Sequence, residues 1–167
     1  MKILIPPGAC PTATGTIATT SSNPLYGSYG WTRTFTNGDP KPHFGVDYAG
    51  EVGDDVYAMY DGIVGSVGPI SGLGKNNVRV LSTINGIRYN VDYGHLSKAL
   101  VTKDDPVFAG KTIIGLMGRD EIKSGFPTHV HIAVWRDVNG KYGYVRPNSH
   151  SPYRYFDNFG NWSHRIW

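Results

Sequence analysis

The sequence predicts an all-β domain, an antiparallel β-sheet fold with little helix, and three observations carry the prediction. Turn formers and strand formers are both abundant, with 22 Gly and 11 Tyr in 167 residues. Gly supplies tight turns and Tyr favours strands. Asp61-Gly62, Asn85-Gly86 and Asn139-Gly140 punctuate the chain, and such pairs favour the primed turns whose twist matches paired strands. No long stretch carries a helical apolar period. Only HLSKALV, residues 95–101, reads as a helical turn or two.

Taken in order, residues 1–24 form an extended N-terminal arm or linker. They are rich in Pro, Gly, Ser and Thr and show no periodic apolar face. Residues up to Asn23 therefore read as dispensable for folding. Three hairpins follow, one at each Gly-containing pair. NVRVLST and IRYNVDY flank the second, and HVHIAVW and KYGYV flank the third. Residues 151–167, SPYRYFDNFGNWSHRIW, make an aromatic tail that packs on the domain or serves for docking.

Composition limits the function classes. Hydrophobic residues make up 40% and charged residues 17% of the chain, enough apolar material for one globular core. The net charge is +3, with Lys and Arg scattered rather than clustered, which argues against nucleic acid as a partner. A mild positive charge suits an anionic polymer such as a cell wall, although most such charge is simply solvated surface. Cys10 is the single cysteine, so an intramolecular disulfide is excluded. No apolar run is long enough to insert in a membrane. The opening MKILIPPGAC has a very short apolar run, interrupted by Pro6 and Pro7, and does not read as an export signal.

Four of the six histidines fall in motifs that carry chemistry. PHFGVDYAG places His43 four residues before Asp47. Pro42 and Gly45 argue against a helix there; a turn entering a strand could instead bring imidazole and carboxylate to one point. In THVHIAVW, strand alternation puts His129, His131, Ala133 and Trp135 on one face. Val130, Ile132 and Val134 take the other, as the core face. His95 stands in YGHLSK. Together these residues supply two nitrogens and an oxygen to one zinc ion: His43, Asp47 and one member of the strand pair. That set leaves a fourth position open for water. The two remaining histidines, His95 and a strand neighbour, are then available as general base or oxyanion stabiliser. Spacing alone leaves open which of His129 and His131 holds metal.

Five blocks in order, from Tyr29 to Pro147, resemble the lysostaphin-type, or LytM-like, zinc endopeptidases. They are HFGVD, VYAMYDGIVGSVG, YGHLSKALV, VFAGKTIIGLMG and THVHIAVW. The resemblance implies that His43, Asp47 and His131 bind Zn2+ and that His95 and His129 are catalytic. It further implies a loop-walled active-site groove in a β domain spanning residues 25–150, and bacterial peptidoglycan as substrate. Arg33 sits near a position where family members often carry arginine. The chain departs from the family in GRDEIKSGFPTH, where Thr128 replaces the usual Pro, and in IAVW, which replaces Phe-Glu-Val. Neither departure touches a ligand. The alternative reading is an inactive structural or binding module of a phage tail or of cell-wall machinery. A peptidoglycan-cutting chain without a recognisable export signal is expected to reach the wall from outside or after membrane breach. A phage lysin or a virion tail component, with other tail proteins as partners, meets that expectation.

Overall fold

A computed structural model describes residues 8–138, 141–145 and 155–156. Among the described residues there are thirteen strands and no helix. The strands are β1 (Gly30–Thr34), β2 (Pro40–His43), β3 (Val46–Ala49), β4 (Asp55–Tyr57), β5 (Gly62–Ile70), β6 (Gly74–Ile84), β7 (Ile87–Gly94), β8 (Leu96–Ala99), β9 (Pro106–Val107), β10 (Ile113–Met117), β11 (His129–Val138), β12 (Lys141–Val145) and β13 (Tyr155–Phe156). Every strand pairing is antiparallel, so the all-β expectation holds.

The large sheet runs β13-β12-β11-β7-β6-β5-β9. Its central strand, β11, pairs with β7 along one edge. Along its other edge it pairs first with β3 and then with β12. A smaller sheet, β4-β10-β8, and the β1-β2 hairpin complete the architecture. Val46, Val64, Val78, Val80, Val91, Tyr93, Val130, Ile132 and Val134 from the large sheet meet Val56, Leu96, Ile114 and Met117 from the small one in a single hydrophobic cluster. Each such side chain contributes roughly 1.5–3 kcal/mol by leaving water. Burying Val130, Ile132 and Val134 fixes the register of β11 and forces His129 and His131 onto its other face.

Local chemistry explains where the hairpin expectations hold. Asn85 and Gly86 both have positive φ, 51° and 76°, and Ile84 faces Ile87 across them, the geometry of a type I′ turn. β11 and β12 pair at Val138 and Lys141, while Asn139-Gly140 itself lies outside the described residues. Asp61-Gly62 is not a hairpin turn, because the preceding strand, β4, pairs with β10. Asp61 Oδ1 instead accepts the N–H of Ala109 at 2.8 Å. Gly62 lies so close to β6 that a Cβ there would stand 2.8 Å from Ser82 Oγ.

Two further expectations change. HLSKALV is strand, not helix: β8 pairs with β10 and the Leu100 N–H bonds to the Ile114 carbonyl. His95 has φ 62°, a left-handed conformation that breaks a right-handed helix at its first residue. The N-terminal arm is extended but not loose. Ala9 N donates to Met59 O at 2.8 Å, Tyr57 N to Pro11 O at 2.9 Å, Ala49 N to Thr16 O at 2.8 Å and Ala18 N to Asp47 O at 2.8 Å. Ala18 and Thr12 are buried. The arm thus behaves as an added edge strand, held by main-chain bonds that leave no apolar period in the sequence. The aromatic tail, apart from the pairing of β13 with β12, lies outside the described residues.

Candidate active site

His43 ends β2, Asp47 lies in β3, and a two-residue turn joins them. His131 stands opposite Asp47 in the β11-β3 register. The turn passes β11 closely: a Cβ on Gly45 would lie 2.7 Å from His131 Nε2 and press on the Ile132 carbonyl. Glycine therefore lets His43 and Asp47 reach the strand pair. One ligand atom from each of His43, Asp47 and His131 falls within a sphere where all lie within 4.8 Å of one another. His43 Nε2 is 3.1 Å from His131 Nδ1 and 3.2 Å from Asp47 Oδ1, and His131 Nδ1 is 2.8 Å from Asp47 Oδ1. His43 Nδ1 donates to the Ser28 carbonyl at 2.9 Å, which leaves Nε2 as the atom facing the cluster.

The electrostatics suit a cation. Asp47 is completely buried. Burial works to raise its carboxyl, but the facing His43 and hydrogen bonds from His131 and His43 outweigh it and hold the group well below the usual carboxylate range. Asp47 is therefore an ionised carboxylate in a desolvated place, which requires positive or donor partners. Burial also lowers His131, and a neutral imidazole is the form that binds metal.

His95 and His129 stand beside this cluster. Their rings meet edge to face with centroids 4.9 Å apart, and His129 Nε2 lies 3.5 Å from Asp47 Oδ2. Each donates its Nδ1 proton to a backbone carbonyl: His95 to Asp120 at 2.7 Å and His129 to Pro127 at 2.8 Å. Burial pushes His129 down to about 4 and lowers His95 as well. Both imidazoles are neutral near pH 7 and able to accept a proton through Nε2.

All five residues expected to act together thus line one cleft. Its walls also carry Tyr26, Trp31, Arg33, Phe35, Lys41 and Phe126. Tyr26 was not visible as a site residue in the sequence. Its ring stacks on Phe126 at 5.0 Å and meets His129 edge-on at 6.2 Å. Arg33 gains a definite place: its guanidinium packs over Tyr26 at 4.1 Å, its Nε bonds to the Tyr26 carbonyl at 3.0 Å, and its terminal nitrogen pairs with Asp47. The hint in the sequence was the arginine's position alone.

Comparison with known proteins follows the same lines. The family model described as Peptidase family M23 matches residues 41–145, well over half of the chain. The chain belongs to peptidase family M23. The catalytic domain of the antimicrobial peptidase lysostaphin from Staphylococcus simulans is similar at 27% identity and TM-score 0.55, over 68% of this chain and 79% of that one. A catalytic-domain variant of the prophage-encoded M23 protein EnpA from Enterococcus faecalis is similar at 26% identity and TM-score 0.59, over 86% and 97%. A zinc-containing peptidase from Vibrio cholerae is similar at 27% identity and TM-score 0.59, over 80% of this chain and 37% of that one. No curated protein sequence matches the chain.

Proposed function

We propose that this M23 peptidase is a zinc-dependent endopeptidase that hydrolyses peptide bonds in bacterial peptidoglycan cross-links. The observation that carries the reading is the convergence of His43, Asp47 and His131 on one point, with His95 and His129 alongside in the same cleft. Two nitrogens and one ionised oxygen fit zinc and leave a corner of the tetrahedron open. The lysostaphin and EnpA catalytic domains support the assignment of substrate class.

A zinc ion held by His43, Asp47 and His131 would lower the pKa of water towards neutrality and polarise a peptide carbonyl. The remaining work falls to this chain's side chains. His95 and His129 accept the proton of the attacking water at Nε2 and return one to the leaving amine, because burial keeps both neutral and each Nδ1 is already committed to a carbonyl. The cleft walls, with Tyr26, Trp31, Phe35 and Phe126 around this floor, offer apolar surface along which an extended peptide is held.

The site of action in this reading is the bacterial cell wall, with delivery in a phage particle or at lysis. Similarity to a prophage-encoded protein over most of the chain supports that delivery. Its presence in purified virions would separate a tail component from a free lysin. The direct test of the activity is release of new amino groups from purified walls, stopped by a chelator and restored by zinc. Release of reducing sugars alone would indicate a glycosidase. No release by zinc-loaded protein from a broad panel of walls would favour the structural-module alternative.

A further inference from the structure

The loop between β10 and β11 does more than wall the cleft. It carries both carbonyls that receive the Nδ1 protons of the catalytic pair, Asp120 for His95 and Pro127 for His129. Arg119 closes this loop at its neck. Its NH1 donates to Thr128 Oγ1 at 2.8 Å and its NH2 to the Phe126 carbonyl at 2.8 Å. The two orienting carbonyls therefore lie next to the clasp: Asp120 follows Arg119, and Pro127 sits between the two acceptors.

We propose that Arg119 is a positioning residue for both catalytic histidines, acting through the backbone of residues 119–128. An imidazole takes either tautomer, and the one with Nδ1–H is selected here only while a carbonyl stays within hydrogen-bond reach. The loop contains left-handed residues at Glu121 (φ 60°) and Gly125 (φ 86°), so its path is not set by strand pairing. Other ties are uneven. The Asp120 carboxylate accepts the Lys75 N–H at 2.7 Å and secures the His95 end. At the His129 end, the Phe126 ring stacks on Tyr26 and the Gly50 N–H donates to the Thr128 carbonyl at 3.3 Å, and the clasp adds two shorter bonds at 2.8 Å. The guanidinium spends both terminal nitrogens on the loop, which sets it up as a brace rather than a substrate contact.

This inference rests on the catalytic roles proposed for His95 and His129, so its test includes a reading independent of hydrolysis. The experiment compares wild type, Arg119→Ala and Arg119→Lys, all zinc-loaded, by imidazole 15N spectra, zinc content, melting and wall-hydrolysis kinetics. Arg119→Ala is expected to keep zinc and fold, to lose the Nδ1–H signature at His129 more than at His95, and to lose about 10- to 100-fold in kcat with KM little changed. Arg119→Lys, able to reach one acceptor, should fall between. Unchanged tautomers in the folded Arg119→Ala protein would overturn the inference. So would a rise in KM alone, which would mark a substrate contact, or a fall in activity that merely follows lost zinc. Should Arg119→Ala not fold, Thr128→Val, which removes the NH1 acceptor only, carries the test: a smaller tautomer shift at His129 supports the clasp and none overturns it. Wild-type protein that cuts no wall would refute the proposed function, while the spectra would still decide the clasp.

Discussion

A completely buried carboxylate sets the character of the site, because Asp47 must be met by cationic or donor groups and finds His43, His131 and Arg33 around it. His43→Ala and Asp47→Ala should each abolish stoichiometric zinc, as read by metal analysis of the purified protein, and unchanged zinc would refute the ligand set. His95→Ala and His129→Ala should keep zinc while losing roughly a hundredfold or more in turnover; loss of zinc in His129→Ala would mean that the strand pair's roles are reversed. The pH response of the zinc-free protein follows from burial. His129 takes a proton near 6.5 when unfolded and near 4 when folded, so the unfolded chain binds more protons between those values. Stability is present above pH 6.5 and is lost as pH falls towards 4, by about 3 kcal/mol from this residue, while Asp47 stays ionised through the window. Thermal melting in chelator across that range should show a steady fall, and a flat profile would contradict it. His43, Asp47, His95, His129 and His131 could be singled out in the sequence because imidazole and carboxylate carry their chemistry in their identity, whereas Tyr26 could not. Nor could the carbonyls of Ser28, Asp120 and Pro127, because every residue has one.

Elements were legible where the signal was local. Alternation in β11 told core from site face, and Asn85-Gly86 fixed the β6-β7 register, since both depend on neighbours in sequence. The failures share a cause. Asp61-Gly62 follows a strand that pairs elsewhere, the HLSKALV strand is defined by β10, and the arm is held by main-chain bonds to residues far along the chain. The Arg79–Asp92 pair, bonded at 2.7 and 2.8 Å across β6 and β7, follows from the register that the Asn85-Gly86 turn sets. The arm supplies a prediction at this scale. A deletion beginning at Pro24 removes the bonds from Ala9, Pro11, Thr16 and Ala18 and exposes the β3 edge beside Asp47. It should melt at a lower temperature than the full chain and bind zinc less tightly; equal melting and zinc binding would show that the arm is an accessory.

At the scale of the whole molecule, the division of labour is between a rigid floor and variable walls. The large sheet fixes Asp47, His129 and His131 on paired strands, whereas the β1-β2 hairpin, the segment just before it and the β10-β11 loop supply Trp31, Tyr26 and Phe126 around them. Ligands on strands are held more precisely than ligands on loops, and walls on loops can differ between proteins that share a floor. Sequence composition reached the floor, through strand formers and turn pairs, but not the small β4-β10-β8 sheet, whose short strands are chosen by tertiary packing. The central claim, that this floor cuts peptide bonds of the wall, is tested most directly by mass spectrometry of fragments released from purified peptidoglycan by zinc-loaded protein, beside a chelator-treated control. The account predicts fragments ending in one new amine and one new carboxylate at a single kind of peptide bond, absent from the control and from digests with His129→Ala. Fragments identical with and without chelator, or cut only between sugars, would contradict it.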